Sequence, residues 1–268
     1  MDYYHVDAFT HQLFGGNPAG VVPLAAWLPD TQMQRIAAEN NLSETVFFAP
    51  EGNQYRIRWF TPTVEVDLCG HATLAAAWVL FNALGHSGDS LRFISASGEL
   101  AVRRDGDWLT LDFPARPPQP VAQSASVEIV LRALDVAEPM YIGAARDLVV
   151  LLPDEASVRA LQPDFALLGT VADWFAVIVT APGTDSDFVC RFFAPRQGIN
   201  EDPVTGSAFC TLIPLWAERL GRTTLRAHQV SARGGTLRCA LSARHNPAKR
   251  VHISGQAVCY LRGQLNVG

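Results

Sequence analysis

Arg58-Trp59-Phe60-Thr61-Pro62 and Arg191-Phe192-Phe193-Ala194-Pro195 follow one pattern: a basic residue, two aromatics, a small residue and a proline. The bulky residues favour a strand, and the proline that ends each run removes a ladder donor and turns the chain. An apolar stretch follows in both places. The first runs from Gly70-His71-Ala72-Thr73 to Leu84-Gly85, the second from Gly206-Ser207-Ala208 to Leu220-Gly221. The first is apolar on nearly every side, as a helix is when it belongs inside a protein. Fixing the two helices by their glycine stops pairs Cys69 with Thr205, Gly70 with Gly206, His71 with Ser207 and Ala72 with Ala208. Strand, proline turn, helix start and helix stop thus recur in order, with a few extra residues in the second copy.

This duplication predicts an α+β fold of two pseudo-symmetric halves, each a curled, mostly antiparallel sheet around a central helix. Two such units side by side would leave a cleft, with the active site expected where they face each other. Pro114-Ala115-Arg116-Pro117-Pro118-Gln119-Pro120 is the clearest linker. The expected division falls at this linker, 1–116 before it and a second half from 117.

Around the duplicated cores, strands are expected at Tyr3–Phe9, Thr45–Phe48, Tyr55–Phe60, Leu91–Ser95, Glu99–Arg103 and Trp108–Phe113. Gly15–Gly20 reads as a turn or loop. Asp30–Asn40 reads as a helix capped by Asp30, with Met33, Ile36 and Ala37 on one face. In the second half, Ser126–Leu134 is helical, and Leu148–Leu152, Trp174–Thr180 and Phe188–Phe193 are strands. Short strands follow near Gln229, Leu237, His252 and Val258.

A net charge of -5 and a pI near 5.8 argue against a nucleic-acid partner. The longest apolar run, Ala72–Phe81, is about half the length that spans a bilayer, and Met1–Thr10 lacks the basic and apolar parts of a secretory signal. A soluble, cytoplasmic protein without a membrane partner is expected. The five cysteines are widely spaced, and the seven histidines form no HExxH or similar cluster. Phosphate-cradling glycine motifs are absent. The chemistry is expected to rest on side chains, with no metal and no cofactor.

Matching helix starts are where such chemistry would sit. The first N–H groups of a helix lack internal partners and lie at its positive end, so Gly70 and Gly206 suit a carboxylate. His71 beside that end should be a neutral imidazole, able to shuttle a proton or donate one hydrogen bond. Asp202, in the acidic turn Glu201-Asp202-Pro203, reads as a site carboxyl or as a cap; Ser207 reads as a ligand donor or a cap of its own helix. Cys69 at a helix start could act as a base or nucleophile. Its counterpart is Thr205, and Cys210 lies roughly 140° round the helix from there, at about 100° per residue. A matched pair of thiols is therefore not expected. Glu44 lies between a polar turn and the apolar Val46-Phe47-Phe48; it reads either as an exposed loop residue or as an acid/base whose pKa is raised by that wall.

Asp7-Ala8-Phe9-Thr10, Gly16-Asn17-Pro18, Asn41-Leu42-Ser43-Glu44-Thr45, Gly70-His71-Ala72-Thr73 and Glu201-Asp202-Pro203-Val204-Thr205-Gly206-Ser207-Ala208 resemble the blocks of the phenazine-biosynthesis PhzF-like family, in family order over nearly the whole chain. The resemblance implies a diaminopimelate-epimerase-like fold whose final strand, about 256–268, crosses back to complete the first half, 1–116, leaving 117–255 as the second. It implies a cofactor-free isomerase, usually a homodimer, with Glu44 as acid/base and His71 and Asp202 as further catalytic groups. Ser207, Gly70, Gly206 and Asn17 are then the substrate-binding candidates. The epimerases of this fold use one cysteine from each half, and Thr205 in place of the second puts two-base racemisation in doubt. Three readings follow: proton-transfer isomerisation of a small carboxylate-bearing metabolite, amino-acid epimerisation using Cys69, and a non-catalytic binding module on the same fold.

Overall fold

Alternation of large and polar side chains through Tyr3–Asp7 produces a strand with one face inward, and Tyr4, Val6 and Ala8 are buried along it. The computed structural model describes residues 1–242 and 249–267. It divides into two units, Met1–Phe113 with His252–Gly268, and Pro114–Val251.

In the first unit, β1 (Asp2–Ala8) pairs antiparallel with β2 (Asn17–Pro23). Helix α1 (Asp30–Asn40) leads to β3 (Glu44–Glu51), which runs parallel to β2. Next come β4 (Gln54–Phe60), antiparallel to β3, and the short β5 (Glu65–Val66). The central helix α2 (Gly70–Trp78) precedes β6 (Ser90–Ser95), parallel to β4, and the antiparallel β7 (Gly98–Asp105) and β8 (Trp108–Pro114).

The second unit opens with β9 (Gln119–Pro120) and α3 (Ala125–Leu134), then repeats that order. Strand β10 (Tyr141–Ala144) pairs antiparallel with β11 (Leu148–Leu151); α4 (Glu155–Ala160) and α5 (Phe165–Leu168) follow. Strand β12 (Val177–Pro182) is parallel to β11, and β13 (Phe188–Phe193) is antiparallel to β12. A 3-10 turn, Gly206–Ala208, opens the central helix α6 (Phe209–Leu220). Strand β14 (Thr224–Gln229) is parallel to β13, and β15 (Gly235–Leu241) is antiparallel to β14. After β16 (Arg250–Gly255), β17 (Ala257–Gln264) pairs antiparallel with β1 in the first unit, Asp2 opposite Gln264.

Four local expectations need correction. Asn17–Gly20 belong to β2 and not to a loop: the turn is completed one residue earlier at Gly16, whose φ is 63°, and the Asp7 carboxylate holds it by accepting from the Phe14 N–H at 3.1 Å. Pro29, not Asp30, occupies the cap of α1; Asp30 is in the first turn, and its carboxylate accepts from Arg58 Nη1 at 2.8 Å. The first central helix is α-helical only to Trp78 and continues as a π-helix, Val79–Ala83. There the Asn82 side chain donates to the Trp78 carbonyl at 3.0 Å, competing with the backbone N–H that an α-turn would aim at it. The second central helix starts as a 3-10 turn and carries Pro214 in its interior. Proline has no N–H for the Cys210 carbonyl four residues back, and the Arg116 N–H takes that acceptor at 2.8 Å.

Both central helices are core. Every residue of α2 from His71 to Ala77 is buried, and its alanines let β1, β2 and β3 come close. Gly255 packs so tightly there that a Cβ would lie 2.3 Å from a ring carbon of Phe9 and 3.2 Å from Leu74. Around α6, Trp216 stacks on Phe188 at 5.4 Å and donates its indole N–H to Thr180 Oγ1 at 3.0 Å. On the outer side of the sheets, Met33 and Ile36 of α1 cover Phe47 and Phe60, while Val127 and Val130 of α3 and Val158 of α4 cover Val150 and Val179. Among the described residues no helix is long and apolar enough to cross a membrane.

Candidate active site

Three side chains meet at the start of α2. Cys69, extended at φ -140° and ψ 111°, is the last residue before the helix, and His71 is its second residue. Glu44 reaches them from the first position of β3: α1 ends at Asn41, which takes the left-handed conformation, and Leu42-Ser43 then bring the chain into the strand. The Asn40 side chain donates to Thr45 Oγ1 at 3.0 Å and fixes this corner. Pairing of β3 with β2 sets Glu44 opposite Ala19, next to Asn17-Pro18.

Cys69 Sγ lies 3.4 Å from His71 Nδ1, and His71 Nε2 lies 3.2 Å from Glu44 Oε2. Glu44, Cys69 and His71 offer polar atoms all within 4.8 Å of one another, which is close enough to hold a metal ion. The sulfur and the carboxyl, however, face opposite nitrogens of one ring. That is a linear order, Cys69 to His71 to Glu44, more than a chelate around one point. Burial pushes the His71 pKa down to about 3, against the smaller opposing effect of the Pro18 carbonyl that accepts from the ring. The expected neutral imidazole is therefore present, with desolvation as its main cause. A neutral imidazole beside a carboxyl can donate to the carboxylate or accept from the acid, so it tolerates Glu44 in either protonation state. The Glu44 side chain is 13% exposed, at the lip of the buried Val46–Phe48 run. Asn17 is fully enclosed at the start of β2, and Gly70 lies between the cysteine and the histidine.

The equivalent place in the second unit carries other chemistry. Thr205 stands before the helix at φ -113° and ψ 95° and donates its hydroxyl to the buried Asp202 carboxylate. Gln229 at the end of β14 locks this turn: its carbonyl oxygen accepts from the Thr205 N–H at 2.8 Å, and its amide donates to the Asp202 backbone carbonyl at 2.7 Å. Ser207 accepts from Arg146 Nη2 at 3.1 Å. Arg146 also grips the buried Asp147 through Nε and Nη2, at 3.1 and 3.2 Å. Burial raises the Asp147 pKa, and Arg146 opposes that rise. Cys210 is no substitute thiol here, because burial pushes its pKa up to about 11.

The structure therefore brings Glu44, His71 and Cys69 together in one unit and gathers Asp202, Gly206 and Ser207 around one helix start in the other. Sequence reasoning missed Gln229 and Arg146. Gln229 leaves no local signal, since it meets Thr205 only through the pairing of β13 with β14. Arg146-Asp147 did leave one: a charged pair set directly before the apolar run Leu148–Leu152.

The model of the phenazine biosynthesis-like protein family matches residues 6–263. An uncharacterized isomerase of Pseudomonas aeruginosa is 51% identical, over 100% of this chain and 99% of the relative. A crystal structure of a phenazine biosynthesis PhzF-family protein from Enterococcus faecalis superposes with a TM-score of 0.93 at 46% identity, covering 99% of this chain and 98% of that one. A predicted epimerase from Pseudomonas aeruginosa, at 22% identity, shares the fold with a TM-score of 0.72 over 98% of each chain. The chain belongs to the phenazine biosynthesis-like family and has its α+β fold, which the predicted epimerase shares.

Proposed function

We propose, on the premise of that family membership, that the protein is a cofactor-independent isomerase that moves a proton on a small carboxylate-bearing metabolite. Glu44 takes the proton from carbon and returns it at another position. His71 stabilises Glu44 in both states, and Asp202 serves as a further polar group of the reaction. Ser207, Asn17 and the backbone N–H groups at Gly70 and Gly206 bind and polarise the substrate. The observation that carries this reading is the carboxyl of Glu44 set 3.2 Å from a buried histidine that stays neutral. The name of the 51% identical relative supports the reaction class.

The test is solvent exchange. Incubation in D2O with small carboxylate metabolites is expected to place deuterium on carbon of one of them. Glu44→Gln should abolish that exchange while ligand binding persists; an unimpaired Gln variant would sink the assignment.

Epimerisation through Cys69 is the second reading, favoured by the 3.4 Å approach of its sulfur to His71. It needs a second base, and Thr205, whose hydroxyl is committed to Asp202, does not supply a thiol. If alkylation of Cys69 leaves activity untouched, that reading ends. The proposal extends to a homodimer. Its support is an exposed apolar patch on the first unit, where Phe14 meets Tyr260 edge to face at 5.7 Å beside Leu13 and Leu261. Sedimentation of wild type and Tyr260→Lys checks it, the variant being expected as a monomer.

A further inference from the structure

Ser207 enters the reading above as a donor to substrate, yet its hydroxyl oxygen already accepts a hydrogen bond from Arg146 Nη2. The direction of that bond has a chemical consequence. An oxygen that accepts from a guanidinium keeps its own proton to give away, so the Ser207 hydroxyl retains a donor beside Arg146. Arg146 is itself held on two sides. Its Nε and Nη2 edge lies along the Asp147 carboxylate, which is 1% exposed, and its plane lies over the Phe175 ring at 4.3 Å. The Arg146 side chain is nevertheless 35% exposed. Nη1 carries two more N–H groups, and among the described residues it donates to neither a side chain nor a carbonyl. The surface that Arg146 and Ser207 present together is thus rich in donors, with one lone pair of the hydroxyl as an acceptor, on a cation held by Asp147 and Phe175 before anything binds.

We propose that Arg146 is the specificity-determining residue that reads the carboxylate of the substrate, one oxygen accepting from Nη1 and the other from the Ser207 hydroxyl. This inference rests on the isomerase reading and names the residue that selects its substrate class. A planar anion that accepts at both oxygens matches the charge and both donors of this fork; a neutral amide of the same shape lacks the charge and the second acceptor, and binds too weakly to register at millimolar concentration. Asp147 is a positioning residue that keeps the guanidinium turned toward Ser207. An arginine that served only its buried partner would need neither the partly exposed side chain nor the bond to Ser207.

The test uses the intact wild-type protein and reads the Nε–H resonance of Arg146 by NMR, assigned by its disappearance in Arg146→Lys. Benzoate and propionate are titrated to millimolar concentration, each beside its neutral amide, benzamide or propionamide. The expected result is a saturable shift with the carboxylates and none with the amides. Ser207→Ala should weaken carboxylate binding read on that resonance by about tenfold or more, and Arg146→Lys should do the same by titration calorimetry, since a lysine cannot reproduce the fork. No response to either carboxylate, or an equal response to the amides, overturns the inference. Glu44→Gln should leave the shift intact. Loss of exchange in Glu44→Gln with a silent Arg146 would remove this inference and leave the isomerase reading standing. Normal exchange in Glu44→Gln with a responsive Arg146 would remove the isomerase reading alone.

Discussion

The start of α2 and the start of the helix at Gly206 share a backbone frame and differ in almost everything attached to it. Cys69 and Thr205 are both extended residues before a glycine, and the two helices end alike at Gly85 and Gly221, with φ of 71° and 68°. Around the first start stand a thiol, a neutral imidazole and a carboxyl in a chain; around the second stand a threonine bound to an aspartate, a glutamine and an arginine. Duplication preserved the places where N–H groups converge and let each copy acquire its own side chains. One copy carries an imidazole, a carboxyl and a thiol, able in principle to move a proton, and the other an arginine and hydroxyls, able in principle to hold an anion.

Replacing each copy's carboxyl by an amide is the strongest way to break that division. Glu44→Gln should lower proton exchange by on the order of 10²–10⁴. Asp202→Asn should cost less, about tenfold, because Gln229 still holds the Thr205 turn. Equal losses, measured as exchange rates with one substrate, would mean that both copies share the chemistry.

Acid stability probes the first copy alone. The unfolded chain binds a proton at His71 with a pKa near 6.5, whereas the folded chain refuses it until about pH 3. Stability from this group is therefore complete above pH 6.5 and is lost as pH falls toward 3, by on the order of a few kcal/mol. Denaturant unfolding of wild type and His71→Asn between pH 7 and 4 should show a shallower acid limb in the variant.

The duplicated arginines give a smaller and graded contrast. Arg58 reaches Glu65 and Asp30 with its side chain 23% exposed, while Arg191 is 11% exposed, grips Glu201 and donates to the Val158 and Leu161 carbonyls. Arg191→Met should cost about 2–4 kcal/mol, because it strands buried acceptors. Arg58→Met should cost about 1 kcal/mol or less, as for an exposed pair. Urea midpoints with matched slopes check both. The smallest effect should be the symmetric one. Gly85→Ala and Gly221→Ala each put a Cβ on a left-handed residue with open space around it, and each should cost about 1 kcal/mol.

The duplication was legible because its signals are local: a strand that ends at proline and an apolar run that ends at glycine. Helix α1 was placed from Asp30 to Asn40 by the periodicity of Met33, Ile36 and Ala37 and by Asp30 read as its cap, although Pro29 takes that place. What escaped was made by distant contacts or by competition for one hydrogen bond. Nothing near Asn82 announces a π-helix until its amide is seen on the Trp78 carbonyl. Pro214 looks like a helix breaker until Arg116 is found at the acceptor it leaves open. At the candidate site, the residue types of Glu44, His71 and Ser207 were readable. The order of the chain through His71 was not, because the two faces of an imidazole ring are assigned by folding.

Strand β17 pairs with β1, although all of Pro114–Val251 lies between them in the sequence. The second unit is an uninterrupted stretch and can close as soon as it is made; the first must wait for its last strand. On a ribosome β1 therefore stays with one edge unpaired through more than half of synthesis, a long non-local closure of the kind that slows folding and exposes strands to other chains. The older part of the nascent chain is the later to mature.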